Sequence, residues 1–220
     1  AYFFLSVIAH PNSYCKGYCS TNYYCSPNSC RRSGRFYCSC AKCPSGKISS
    51  SGSWTISQCV GCPSGKYFSS NKCVACAAGK YQPYASQSSC YTCACGKYSA
   101  SGAASCIDCP IGKYSNKNSA SCTSCSSGKY NNNKGICSCN NCKSGSYSLP
   151  GSNLCSSCNS GYYQASSGQS TCNACPTGKI SQSGAQTCDS CLEGYYQNKV
   201  GQSSCIACPA GKYAAGNGNT

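Results

Sequence analysis

The chain has 220 residues, of which 29 are cysteine, 18 are lysine or arginine, and 3 are aspartate or glutamate. So many cysteines, with few Leu, Ile, Val and Phe, exclude an ordinary hydrophobic core and are typical of a disulfide scaffold. Disulfides persist in oxidising surroundings, so we expect an extracellular or cell-surface location. One histidine and three scattered carboxylates make no catalytic triad, so we expect neither an enzyme nor a cofactor.

An apolar arm, residues 1–14, comes first, and its segment Ala1–Ala9 is the one apolar run of the sequence. That segment fits the tail of a signal peptide, a mature β-strand or a docking arm. No stretch reaches the roughly 20 apolar residues that a spanning helix needs, so no membrane span is predicted.

An irregular cysteine-rich head, residues 15–39, follows the arm. Six cysteines lie in this head or directly after it, and they could form three internal disulfides whose pairing the sequence does not set. They are Cys15, Cys19, Cys25, Cys30, Cys38 and Cys40.

Residues 40–220 form a tandem array of eleven C-x-x-C pairs, mostly spaced 16 or 17 residues apart. Self-similarity at a fixed period indicates modules that contact mainly their neighbours. After most pairs comes Gly for a tight turn, then Lys-Tyr as a short strand, then a polar return. We predict small disulfide-rich β repeats: an elongated rod or solenoid of about eleven hairpin modules, each closed by one disulfide, with little or no helix.

The spacing also narrows the disulfide pattern, although connectivity does not follow from sequence alone. Two cysteines separated by two residues bridge with strain, so the economical pattern joins the second cysteine of one pair to the first cysteine of the next. The predicted disulfides are Cys43–Cys59, Cys62–Cys73, Cys76–Cys90, Cys93–Cys106, Cys109–Cys122, Cys125–Cys139, Cys142–Cys155, Cys158–Cys172, Cys175–Cys188 and Cys191–Cys205.

Three cysteines of the array fall outside this pattern. Cys95 and Cys137 are extra residues in two modules, and they would pair if the array folds them together. Cys208 is left without a partner, so it bonds either to another protomer or to a cysteine of a longer chain. Uniform spacing and a single histidine, His10, favour disulfides over zinc sites, and we predict no metal.

Aromatic and basic residues recur at fixed positions in the array. A tyrosine follows the Gly-Lys, Gly-Ser or Gly-Tyr step in most modules, and we predict that these rings form a continuous stacking ladder beside the disulfides. Its members are Tyr67, Tyr81, Tyr98, Tyr114, Tyr130, Tyr147, Tyr163, Tyr196 and Tyr213. We expect the preceding lysines to point outward as a solvated row of Lys47, Lys66, Lys80, Lys97, Lys113, Lys129, Lys179 and Lys212.

The pattern C-P-x-G-K-Y is clearest at Cys62–Tyr67, Cys109–Tyr114 and Cys208–Tyr213. With the following S-C-x-x-C it resembles the ephrin-receptor-like (GCC2/GCC3) cysteine-rich repeat and is similar to the simplest tumour-necrosis-factor-receptor modules. The resemblance covers the array and not the head. It implies an extracellular stalk, a receptor ectodomain or a surface coat.

Three functions remain open. The first is a structural subunit of a filament, flagellar hair or cell coat, with itself as partner. The second is a receptor ectodomain or stalk, for which Arg31–Arg32, Phe36 and Trp54 are irregular binding candidates. The third is a wall- or polysaccharide-binding matrix protein, because a net charge of +15 attracts polyanions. We expect O-linked glycans or acidic polysaccharide as further partners and no nucleic acid.

Overall fold

The computed structural model describes residues 19–26, 31–32, 36–37, 40–53 and 55–220. The apolar arm with Ala1–Ala9, and Cys15, Cys30, Cys38 and Trp54, lie outside the described residues. The described part falls into two compact units. One consists of residues up to Thr92 with Ser99–Cys106, and the other of Cys93–Tyr98 with Ile107–Thr220.

Short strands form twelve two-stranded antiparallel sheets among the described residues. In the first unit the strands are β1 (Tyr23–Cys25), β2 (Arg31–Arg32), β3 (Phe36–Tyr37), β4 (Cys40–Lys42), β5 (Lys47–Ile48), β6 (Val60–Gly61), β7 (Lys66–Ser69), β8 (Lys72–Ala75), β9 (Lys80–Tyr81) and β10 (Tyr91–Thr92). The helical element of the described part is a single 3₁₀ turn, Ile56–Gln58.

The second unit repeats the same short strands. They are β11 (Lys97–Tyr98), β12 (Ile107–Asp108), β13 (Lys113–Tyr114), β14 (Thr123–Ser124), β15 (Lys129–Tyr130), β16 (Asn140–Asn141), β17 (Ser146–Tyr147), β18 (Ser156–Ser157), β19 (Tyr162–Tyr163), β20 (Asn173–Ala174), β21 (Lys179–Ile180), β22 (Asp189–Ser190), β23 (Tyr195–Tyr196) and β24 (Ile206–Ala207).

Each hairpin of the array, from β5–β6 to β23–β24, pairs the two residues after the turn glycine of one module with the two residues inside the next C-x-x-C pair. In one example Lys113 lies opposite Ser124 and Tyr114 lies opposite Thr123. This register brings the cysteine before the turn close to the cysteine that precedes the returning strand. The predicted fold class of small disulfide-rich hairpin modules is confirmed.

Two hairpin features in the first unit depart from the array. Strand β1 of the head pairs with β4 rather than with its neighbour in sequence, so Tyr23 lies opposite Lys42. The β7–β8 hairpin is longer, and its two-residue turn places Ser70 at φ 48° and Asn71 at φ 63°. Positive φ at both central residues is the type I′ geometry that matches the twist of a hairpin.

Candidate functional site in the inter-repeat interface

The candidate functional site is the interface between modules. In a repeat protein each module contacts mainly its neighbours, so these interfaces determine how the array is held together and extended. We name each module by the second cysteine of its pair, so the Cys109 module begins at Cys109. The disulfides are the first element of this interface. They join Cys43–Cys59, Cys62–Cys73, Cys76–Cys90, Cys109–Cys122, Cys125–Cys139, Cys142–Cys155, Cys158–Cys172, Cys175–Cys188 and Cys191–Cys205.

These nine disulfides coincide with pairs that the spacing predicts. Cys93 and Cys106, the remaining predicted pair, are both disulfide-bonded. Cys19 of the head forms a disulfide with Cys40, the first residue of the array, and Cys25 of the head is also disulfide-bonded.

The two extra cysteines, Cys95 and Cys137, bond to each other across 42 residues of sequence. Both are exposed to solvent, whereas Cys109 and the other second cysteines of the array from Cys62 to Cys175 are 0% exposed. The Cys95–Cys137 disulfide therefore lies on the surface and ties together modules that are not adjacent in sequence.

The position after the tyrosine is the second element of the interface, and it is the most buried non-cysteine position of the module. It holds a small or medium polar residue, in chain order Ser49, Gln82, Ser99, Ser115, Asn131, Ser148, Gln164, Ser181 and Gln197. Sequence reasoning missed this position because serine, asparagine and glutamine are mostly exposed in proteins.

Serine and asparagine at this position bind the preceding module. The Ser115 hydroxyl donates to the Lys97 carbonyl at 3.0 Å, and the Ser115 carbonyl accepts from the Gly96 N–H at 2.9 Å. Asn131 Nδ2 likewise donates to the Lys113 carbonyl at 2.8 Å. Each of these side chains thus satisfies a backbone carbonyl of its neighbour in a region closed to water.

Glutamine at this position acts within its own module. Gln164 Nε2 donates to the Thr171 carbonyl at 2.8 Å, while its Oε1 accepts from the Ser166 N–H at 3.1 Å. The longer side chain therefore fixes its own return loop. The three residue types share a position because each finds backbone partners when buried.

Glycine in the return loop is the third element, and it contacts both preceding modules. The Gly151 N–H donates to the Cys125 carbonyl at 2.8 Å. The Gly151 carbonyl also lies against the turn glycine Gly112, so that a Cβ on Gly112 would come within 2.1 Å of that oxygen. The same close approach recurs between Gly65 and Gly102, Gly96 and Gly135, Gly128 and Gly168, Gly145 and Gly184, Gly161 and Gly201, and Gly178 and Gly218.

Close backbone approach therefore links each such module to the one after the next. The sequence contained a signal for this contact, because Gly recurs in most return loops. What the recurrence could not show was the partner, which is 39 or 40 residues away in most of these pairs.

The tyrosines do not form the predicted stacking ladder, because other groups make the contacts between neighbouring modules. The ladder tyrosines are partly buried, except Tyr213, which is 88% exposed. Among the described residues the ring contact found is Tyr81 with Tyr91, at 5.7 Å between centroids, across a single hairpin. Neighbouring modules meet instead through backbone groups and small polar side chains.

The lysines that precede the tyrosines lie at the surface. Lys47, Lys66, Lys113, Lys129 and Lys212 are exposed, and Lys80, Lys97 and Lys179 are partly buried. In the described part the ion pair found joins Lys97 to Asp108, with both side chains about half exposed. An exposed pair of this kind contributes little to stability.

Cys208 carries a free thiol and is partly buried. Its N–H donates to the Gly194 carbonyl at 2.9 Å, which is the contact that second cysteines make elsewhere in the array. The backbone thus places this thiol as in a normal module.

No group of three or more His, Cys, Asp or Glu in the described part of the chain is placed to hold a metal ion. None of its helices is long and apolar enough to cross a membrane.

Comparison with known proteins gives one family match. The family model described as tyrosine-protein kinase ephrin type A/B receptor-like matches residues 145–180 and 178–220. No curated protein matches the chain. The matched residues are modules with the hairpin, the disulfide and the paired glycines described above.

Glycine substitution tests the close approach, and the chain offers a matched pair. Gly161 and Gly194 both have φ +82°, but a Cβ on Gly161 would lie 2.1 Å from the Gly201 carbonyl oxygen, whereas a Cβ on Gly194 meets nothing within 4 Å. Gly194→Ala should cost about 1–2 kcal/mol for the left-handed backbone alone. Gly161→Ala should cost roughly 2 kcal/mol more, since overpacking adds its own penalty. Urea denaturation of the oxidised protein measures both, and equal losses would contradict the contact.

Removal of a hydroxyl tests the buried polar position. Ser148→Ala should destabilise the protein by about 1–3 kcal/mol, because the Lys129 carbonyl loses the hydroxyl that donates to it at 2.9 Å. Ser127→Ala is the control, since Ser127 is exposed, and surface changes of this kind stay within about 0.5 kcal/mol. A Ser148→Ala protein as stable as the control would show that this hydrogen bond does not hold the modules together.

Limited reduction tests the difference between surface and interior disulfides. Exposed disulfides are the more labile class, so Cys95 and Cys137 should be alkylated before Cys109 and Cys122 at increasing thiol concentration. Peptide mass spectrometry of trapped thiols identifies the order. Earlier labelling of Cys109 would mean that burial does not protect the module disulfides.

Proposed function

We propose that the chain, a cysteine-rich repeat protein of which residues 145–220 match the ephrin-receptor-like family model, is an extracellular structural protein, the subunit of a surface filament, a flagellar hair (mastigoneme-like) or a cell coat. The disulfides and the family match indicate an extracellular or secreted protein. The finer role rests on the interface between modules. The same contacts repeat along the array, as expected of a structural protein that is built from similar units.

The kind of atoms in the interface supports assembly of the chain with itself. Module contacts use backbone N–H and C=O groups, glycines and one small polar side chain, none of which is specific to one module. A contact of this kind can form between modules of two chains as readily as within one. The apolar segment Ala1–Ala9 adds a second means of assembly, by pairing along an exposed strand edge of a neighbour.

A receptor ectodomain or stalk is the second candidate, and one observation favours it. The family model that matches residues 145–220 in two adjacent copies carries the name of a receptor tyrosine kinase. In such a protein the modules would serve as a spacer, and binding would fall to residues outside the repeat pattern. Arg31–Arg32, Phe36 and Trp54 remain candidates for that binding. Arg31–Arg32 forms β2 and Phe36 begins β3.

Intact mass of natively isolated material, before and after reduction, tests the structural role. A subunit that is linked to two neighbours by disulfides, one through Cys208 and one through a second cysteine of the chain, should run as a high polymer and fall on reduction to units near 22.8 kDa plus any glycan. Linkage through Cys208 alone would give a dimer that falls to the same units. A species that stays much larger after reduction, or that is recovered with membranes, favours the receptor stalk.

Deletion of residues 1–10 tests the arm separately. Filaments viewed by electron microscopy should disappear, while the peptide map of the array disulfides stays unchanged. A truncated chain that still forms normal filaments would contradict assembly by the N-terminal strand. A chain with a scrambled disulfide map would instead show that the arm is needed for folding.

A further inference from the structure

The Cys95–Cys137 disulfide differs from the other disulfides of the chain in its exposure. Both of its cysteines are exposed to solvent, whereas every other disulfide named above contains at least one buried cysteine. We propose that Cys95–Cys137 is a thiol–disulfide exchange site, at which the Cys208 thiol of a second copy of the chain forms an interchain disulfide. This inference rests on the self-assembly proposed above and identifies its covalent link.

The Cys95–Cys137 disulfide lies beside one of the glycine contacts that hold the array together. Cys95 directly precedes the turn glycine Gly96, and Cys137 lies two residues after the loop glycine Gly135. A Cβ on Gly96 would come within 2.0 Å of the Gly135 carbonyl oxygen. The disulfide therefore joins two segments that the backbone contact already holds together.

A second contact of the same kind shows that the array does not depend on this disulfide. At the Gly128–Gly168 contact the positions of the two cysteines are occupied by Ser127 and Ser170. The backbones approach as closely there, because a Cβ on Gly128 would lie 1.9 Å from the Gly168 carbonyl oxygen. Opening of the Cys95–Cys137 bond should therefore leave the modules in place, in contrast to opening of a buried module disulfide.

The attacking group is the thiol of Cys208, the free cysteine among the described residues. Its N–H donates to the Gly194 carbonyl at 2.9 Å, as the second cysteines of disulfide-bonded modules do with their own turn glycines. Cys208 keeps part of its surface exposed, whereas Cys175 is 0% exposed. A thiol placed in this way is accessible to another chain.

The exchange balances without an oxidant. The Cys208 thiolate attacks one sulfur of the Cys95–Cys137 disulfide in a second chain, so that the interchain S–S bond forms as the intrachain S–S bond breaks. The other sulfur leaves as a thiolate and takes up the proton that Cys208 released. One disulfide and one thiol are present before the step and after it.

The positions of the two groups make the product a polymer. Cys208 begins the fifth module after the Cys125 module, in which Cys137 lies, and the contacts between modules described above reach only to the module after the next. The exchange therefore joins separate chains instead of closing one chain on itself. Each chain offers one thiol and one exposed disulfide at different places, so it can be linked to two neighbours in a head-to-tail series.

Incubation of the purified, oxidised full chain without oxygen or metal ions tests the exchange. Non-reducing electrophoresis should show dimers, trimers and larger species that collapse on reduction, and peptide mass spectrometry should find Cys208 joined to Cys95 or Cys137. The thiol that alkylation traps should move from Cys208 to whichever cysteine is released. A chain that stays monomeric, or one that forms only Cys208–Cys208 dimers, would overturn the proposal.

Serine variants identify both partners of the reaction. Cys208→Ser removes the attacking thiol, and Cys95→Ser with Cys137→Ser removes the exposed disulfide while keeping Cys208. Each should slow the formation of oligomers at least about tenfold, because exchange requires an attacking thiolate and an accessible disulfide. The double variant should fold, since serine already stands at both positions beside Gly128–Gly168, and an unchanged peptide map of the module disulfides checks this. Oligomers that form at the native rate in either folded variant would refute the assignment.

Electron microscopy separates this link from the structural function on which it rests. Filaments of the native chain should yield covalent oligomers in non-reducing denaturant, and filaments of the Cys95→Ser, Cys137→Ser variant should yield monomers. Covalent oligomers from filaments of that variant would refute the exchange site and leave the structural role standing. Interchain disulfides between Cys208 and Cys95 or Cys137 in material that never forms filaments would support the exchange and contradict the filament.

Discussion

The disulfide that closes each module replaces the apolar core that the chain lacks, and the rest of the architecture depends on it. Ordering a module of about 16 residues costs roughly 1–2 kcal/mol per residue in backbone entropy, which one or two partly buried tyrosines cannot offset. Cross-linking lowers that cost by restricting the unfolded chain. The burial pattern agrees, since cysteines such as Cys109 are 0% exposed while Ile107 and Leu192 are 56% and 68% exposed.

Without bulky side chains inside, the modules can approach until their backbones touch. A turn glycine such as Gly128 then packs on the loop glycine of the module after the next, Gly168, and the polar residue between them supplies the missing hydrogen bonds. The contacts that order neighbouring modules therefore use mainly backbone atoms, which every residue has. Side chains that point outward take no part in this, so the surface can vary without loss of the fold.

Sequence alone predicted the features that depend on local spacing. The cysteine register follows from a regular period, and the hairpins follow from Gly-Lys-Tyr and the polar return. The prediction of a tyrosine ladder was wrong, because the alternation of side chains along a strand predicts which face of the strand a ring lies on but not which residues it contacts. Burial of Ser148 or Asn131 could not be predicted, since it requires carbonyl groups that only the neighbouring module provides. The hydrogen bond from the Asn22 amide to the Asn71 carbonyl could not be predicted for the same reason, because the two residues are 49 positions apart.

The array and the head differ in how their buried polar side chains are hydrogen-bonded. In the array the buried serine and asparagine side chains donate to backbone carbonyls of the preceding module, and the buried glutamine side chains bond within their own module. Asn22 of the head is also buried next to a module, yet its Oδ1 has no hydrogen-bond partner within the described residues. The amide Nδ2 of Asn22 donates to the carbonyl of Asn71, so a side-chain hydrogen bond ties the head to the β7–β8 turn 49 residues away.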